Sequence, residues 1–181
     1  MVLIRLSLIF LFFFFQFSNA QQVNWMSIEK AQELQKANPK NIIMDIYTDW
    51  CGPCKLMDKN TFQNADVANY LNENFYAVKF NAEGNSEINY KGKVYKNPGY
   101  RETKSARNSS HNFTRYLGVY GYPTIVFFDK NTNPIAPITG YLTPQQIEIY
   151  LSLFKDEKYL QIKSQDDFKK FLDDFESSFK S

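Results

Sequence analysis

The chain has two cysteines, Cys51 and Cys54, separated only by Gly52 and Pro53. Thiols this close can close and reopen a disulfide. A purely structural crosslink is the bland alternative, but so short a loop would restrain little of the unfolded chain. Zinc needs about four ligands, and the remaining soft donor is a single distant histidine, His111. Covalent haem attachment needs a histidine after the second cysteine, and Lys55 stands there. Redox exchange is the reading left. It assigns Cys51 as the exposed attacking thiolate and Cys54, more deeply buried, as the thiol that resolves the mixed disulfide.

The flanking elements suit that chemistry. Ile42 to Tyr47 is an apolar run with the length of a buried strand, and Lys55 to Leu71 carries a helical pattern. Cys51 then sits at a helix N-terminus, where backbone N–H groups and the helix dipole favour a thiolate. Pro53 fits a first helical turn, which needs no N–H. Gly52 removes side-chain bulk where a partner disulfide must approach. The strand has one intruder, Asp45, among Ile43, Met44 and Ile46. If it faces inward, desolvation raises its pKa, and it can exchange a proton with Cys54. If it faces the strand's polar side, it is an ordinary solvated aspartate.

Trp50-Cys51-Gly52-Pro53-Cys54-Lys55 resembles the active-site signature of the thioredoxin family. The likeness runs from about Ile42 to about Phe154 and rests on ordered anchors. Asp45, six residues before Cys51, matches the family's buried aspartate, and Lys79 matches the strand lysine that partners it. Tyr122-Pro123-Thr124 matches the cis-proline loop opposite the active site, and Gly140 matches the glycine of the last strand turn. The resemblance implies an α/β thioredoxin fold, a central mixed β-sheet flanked by helices. It implies that Pro123 packs near both sulfurs and that the Tyr122 backbone pairs with an extended substrate. Trp50 and Tyr141 are expected to form an apolar rim. Gly-Pro between the cysteines is the dipeptide of the reducing branch, whereas oxidising relatives usually carry histidine there. Tyr122 departs from the aliphatic residue common in that branch.

The first twenty residues have the form of a secretory signal. Arg5 supplies the basic start, Leu6 to Phe17 the apolar stretch, and Ser18-Asn19-Ala20 a cleavage site of small residues. Cleavage after Ala20 is the preferred reading, and an uncleaved anchor is the alternative. Removal of 20 of the 181 residues leaves 161, with a formal charge of +1 instead of +2 because only Arg5 departs. Nothing in that balance favours nucleic acid or an anionic membrane surface.

Along the chain, Ser27 should cap a helix over Ile28 to Ala37. Phe75 to Asn81 should be a strand parallel to the first. The connection from Lys79 to Pro123 is roughly 25 residues longer than family members need. This insertion, Glu83 to Ser110, should hold a hairpin (Ile88-Asn89-Tyr90 and Lys93-Val94-Tyr95), whose Tyr90, Val94 and Tyr95 could cover a sheet face. Its Lys91, Lys93, Lys96, Arg101, Lys104 and Arg107 make it basic. Decoration and partner recognition are both open, and a short Gly-Ser link in place of 84–110 is expected to preserve folding. Ser110 is expected to cap a short helix through Leu117, with His111 on the surface. Thr124 to Phe128 and Pro134 to Thr139 should form a hairpin with a proline-bearing edge. Thr143 should cap a helix reaching Phe154. Ser164 to Phe179 is expected to be one last helix with an aromatic stripe.

Residues 1–20 are thus a signal, 21–155 a thioredoxin-like domain with an insertion at about 83–110, and 156–181 a helical extension. The expected function is an exported, periplasmic thiol–disulfide oxidoreductase that reduces protein disulfides. Cys51, Cys54 and Asp45 would be catalytic, and Trp50, Gly52, Pro53 and Lys79 supporting. Tyr122, Pro123, Gly140 and Tyr141 would bind substrate. No cofactor or metal beyond the Cys51–Cys54 disulfide is expected. No pyridine-nucleotide motif occurs, so electrons would come from a partner, by the resemblance a membrane reductase, to a monomeric protein. A disulfide oxidase or isomerase is one rival. A client-binding module with idle cysteines is the other.

Overall fold

The computed structural model describes residues 22–102 and 107–180; the signal segment, 1–20, and Lys104 lie outside them. Ser27 caps α1 (Ile28–Ala37) by accepting the Lys30 N–H at 3.3 Å. Strand β1 (Asn41–Tyr47) follows, buried along almost its whole length. Helix α2 (Gly52–Met57) continues through a π-helical turn, Asp58–Phe62, before α3 (Ala65–Asn74) restarts under the Asn64 cap. Strand β2 (Phe75–Asn81) pairs parallel to β1, with Asp45 in register with Lys79. Strands β3 (Ile88–Tyr90) and β4 (Lys93–Tyr95) form the hairpin of the insertion, and α4 (Asn112–Tyr116) closes it. Strand β5 (Thr124–Phe128) lies antiparallel to β1, and β6 (Pro134–Thr139) completes the mixed sheet in the order β2-β1-β5-β6. Helix α5 (Pro144–Lys155) begins with a full capping box, Thr143 with Gln146. A 3-10 turn, Lys158–Gln161, leads to α6 (Gln165–Asp173).

Strand alternation divides the core. Ile42, Met44 and Ile46 of β1 face a layer built from α1, the inserted hairpin and α4. Ile43 faces the other layer, with Met57, Val67 and Leu71 below the active-site helices and Ile147 and Leu151 of α5. Asp45 shares the parity of Ile43, so it points beneath α2 rather than toward solvent.

The insertion is not decoration. Tyr90 and Tyr95 are buried, with Phe113 between them at centroid distances of 5.1 and 5.2 Å. The Tyr90 hydroxyl donates to the Thr132 carbonyl across the domain. Val94 departs from expectation and is half exposed, because strand alternation turns it away from Tyr95. The short Gly-Ser link expected to leave folding intact would therefore remove core side chains.

His111, not Ser110, caps α4: its Nδ1 accepts the Phe113 N–H at 3.0 Å. Its Nε2–H can then donate to the Ser86 carbonyl at 2.9 Å. The ring is fully buried and edge-on to Phe80, not on the surface as expected. Burial lowers its pKa, in keeping with a neutral ring whose two nitrogens have opposite roles.

The last helix is shorter than its aromatic stripe. It ends at Asp173, and residues 174–180 run on without helix. Asp173 and Asp174 place negative charge at the unfavourable end of the helix dipole. A better acceptor also lies nearby. Glu148 of α5 takes hydrogen bonds from the hydroxyls of Ser177 and Ser178 and from the backbone N–H groups of Ser178 and Phe179. Phe168, Phe171 and Phe179 pack against the α3–α5 side, while Leu172 stays partly exposed.

Candidate active site

Cys51 is the N-cap of α2, and its sulfur accepts the Cys54 N–H at 3.1 Å. An amide aimed at that sulfur is the contact that stabilises a thiolate after reduction. The two cysteines are joined as a disulfide. Both are buried in this state, Cys51 at 2% exposure and Cys54 at 7%, so the expected contrast between an open first sulfur and a covered second one is absent. Pro53 lies in the first turn of α2, and nothing stands within 4 Å of a Cβ placed on Gly52. That space is open to an incoming sulfur.

The Tyr122–Pro123 peptide bond is cis. Pro123 is buried, and its carbonyl accepts the Gly140 N–H at 2.9 Å. Gly140 has φ +117°, a conformation that side chains resist. The ring of Tyr122 meets Trp50 edge-on at 6.1 Å. Trp50 and Tyr141 are 41% and 37% exposed, consistent with an aromatic rim.

Asp45 is buried behind Cys54. Both line a cavity of about 320 Å³, shared with Thr48, Lys55, Asp58 and Lys79. Burial pushes the Asp45 carboxyl up to about 7, against the opposing charge of Lys79. Lys79 is 3.8 Å from Asp45 and in tighter contact with Asp58. The Thr48 hydroxyl is buried in the same region with no partner among the described residues. Asp58 was missed in the sequence. Its signal was its place four residues after Cys54, which puts it one helical turn on and on the same face. The larger hollow, about 590 Å³ between α1, the hairpin and 130–132, contains no cysteine.

The insertion's return limb reaches this site. Glu83 accepts the Trp50 indole N–H at 2.9 Å and the Asn108 backbone N–H at 2.7 Å on one oxygen. The Arg107 guanidinium carbon lies over the Trp50 ring, 4.1 Å from its centre.

Residues 28–155 match the model of the thioredoxin-like domain. The chain belongs to the thioredoxin-like family of thiol–disulfide oxidoreductases. Among curated proteins it resembles "Thiol:disulfide interchange protein DsbD" of Tatumella citrea, 28% identical over 70% of this chain and 18% of that protein. The protein of that name from Haemophilus influenzae strain PittGG is 30% identical over 67% of this chain and 18% of the relative. The chain thus spans under a quarter of the length of these relatives. A solved thioredoxin-fold protein from Helicobacter pylori covers 75% of this chain and 81% of its own, with 22% identity and a TM-score of 0.56. That likeness concerns the fold. The α/β thioredoxin fold is thereby shown, and the Cys51–Cys54 disulfide lies within the matched segment. Among the described residues no helix is long and apolar enough to cross a membrane.

Proposed function

We propose that this protein is an exported, periplasmic reductant of protein disulfides, acting as a monomer after loss of residues 1–20. The observation that carries the reading is the Cys51–Cys54 disulfide, set at the start of α2 around Gly52-Pro53 and accompanied by the buried Asp45. In the reduced protein the Cys51 thiolate attacks one sulfur of a client disulfide. The client S–S bond breaks, one client thiolate leaves, and a mixed disulfide forms. Cys54 gives its proton to Asp45, through water in the shared cavity, and attacks Cys51. The second client thiolate leaves, and Cys51–Cys54 is oxidised as the client gains two electrons. Trp50, Gly52, Pro53 and Lys79 support the pair, while Tyr122, Pro123, Gly140 and Tyr141 hold the client segment.

Turnover needs an electron donor. The similarity to thiol:disulfide interchange proteins supports a protein dithiol as that donor, which we take to be a membrane reductase. The Gly-Pro dipeptide favours reduction over oxidation. Cys51→Ser should abolish insulin reduction, whereas Cys54→Ser should accumulate mixed disulfides with clients. The potential should lie nearer the thioredoxin value of about −270 mV than the oxidant value of about −120 mV. Wild-type protein that leaves insulin unreduced would favour a client-binding module, and a potential above about −170 mV would favour an oxidase.

A further inference from the structure

We propose that Arg107 is a specificity-determining residue that favours clients carrying a carboxylate beside the cystine to be opened. The proposal rests on the thiol-exchange reading above and names the substrate class of that site. Trp50 precedes Cys51 and touches Tyr122, the residue before the cis proline, so it borders both the attacking sulfur and the client-binding backbone. The Arg107 guanidinium lies over this indole, its central carbon 4.1 Å from the ring centre. A guanidinium held over an aromatic face keeps N–H donors that can take a carboxylate in a two-pronged hydrogen bond.

The position is held by its neighbours. The Asn108 N–H, immediately after Arg107, bonds to the same Glu83 oxygen that receives the Trp50 N–H. Asn108 is further fixed by side-chain bonds to the backbone of Arg101 at 2.7 and 2.8 Å, and Ser109 by a bond to Asn97 at 2.6 Å. Arg107 itself is exposed, and among the described residues it has no ion-pair partner. Glu83 directs one carboxylate oxygen to the Trp50 and Asn108 N–H groups and makes no ion pair with Arg107 among the described residues. The rim of the thiol site thus carries a positioned cation with no carboxylate partner among the described residues. A carboxylate on a client chain supplies its counter-charge.

The test uses the reduced full-length protein and two synthetic cyclic cystine peptides, alike except for Asp or Lys next to one cysteine. Each is reduced by wild type, Arg107→Gln and Arg107→Glu. The peptides' own reactivities cancel between protein variants, so the readout is the change in the Asp:Lys rate ratio. Arg107→Gln should lower that ratio about three- to fivefold, the scale of an exposed ion pair, and Arg107→Glu should lower it further. Added salt should shrink the difference between wild type and variants. Reduction of a small uncharged disulfide measures any effect of the changed charge on the Cys51 thiolate itself, and the Asp:Lys ratio taken within each protein is independent of it. A ratio unchanged by Arg107→Gln overturns the proposal while leaving thiol exchange intact. Reduction of neither peptide by wild type overturns the thiol-exchange reading and this proposal with it.

Discussion

The Lys79 ammonium stands 3.8 Å from the Asp45 carboxylate, yet Asp45 remains a carboxyl whose burial outweighs the attraction. Lys79 is shared with Asp58, which takes the closer contact. A lysine drawn toward the surface acid leaves the buried one with partial compensation and a proton it can hold near neutral pH.

Asp45→Asn should therefore stabilise the disulfide form while slowing thiol exchange. The folded carboxyl titrates at about 7 against an ordinary 3.8, so the folded state binds the extra proton between those values. Its favourable state is complete below about pH 3.8 and is lost as pH rises through about 7. The variant's advantage should be near zero at pH 4 and a few kcal/mol at pH 9. Urea denaturation at the two pH values checks this. An advantage that does not vary with pH would mean that Asp45 is solvated.

Asp58→Asn should act in the opposite direction on the same carboxyl. Removing a negative charge that raises the Asp45 pKa, and releasing Lys79 to Asp45, should lower that pKa. The step in which Cys54 resolves a mixed disulfide should then follow a pH profile displaced to lower pH. A profile that does not move would show that Asp58 is only a surface ion-pair partner of Lys79.

The inserted hairpin should prove indispensable to folding. Tyr90→Ala removes a fully buried ring and its hydroxyl donor, a loss on the order of 3–5 kcal/mol. Val94→Ala, at a half-exposed position of the same hairpin, should cost under about 0.5 kcal/mol. Denaturant midpoints compare the two. Replacement of 84–110 by a Gly-Ser link should yield protein without a cooperative transition, and a stable, cooperatively unfolding product would contradict the packing.

The C-terminal strap should release in acid. Burial alone would push the Glu148 carboxyl up, but the hydrogen bonds from Ser177, Ser178 and Phe179 outweigh it and hold the group below its ordinary value. The stabilisation is present above the ordinary value of 4.5 and is lost as pH falls through the lower folded value. Hydrogen exchange at the Ser178 and Phe179 amides should accelerate there. Glu148→Ala should expose them at every pH and cost about 2 kcal/mol. Equal protection in wild type and variant would mean that Phe179, through its contact with Tyr70, holds the strap unaided.

Local signals were enough for much of this molecule. The cysteine spacing, Pro53 in a first turn, the Ser27 and Thr143 caps and the apolar runs of β1, β2 and β5 each act within a few residues, so they can be read one segment at a time. The chain order of Asp45, Cys51, Lys79 and Pro123 was legible through resemblance for the same reason. Other features join segments far apart. Asp58 matters because β2 brings Lys79 over the helix that carries it. His111 became a buried cap because Ala82, Ser86 and Phe80 surround a turn whose polarity had suggested surface. The stripe of α6 continued past the helix because no periodicity in 164–179 records that Glu148 offers those amides a stronger acceptor. Glu83, Trp50 and Arg107 meet only after the hairpin has packed on the sheet. Local propensity decided the elements. The partners of each charged or buried polar group depended on which distant surfaces the fold brought together.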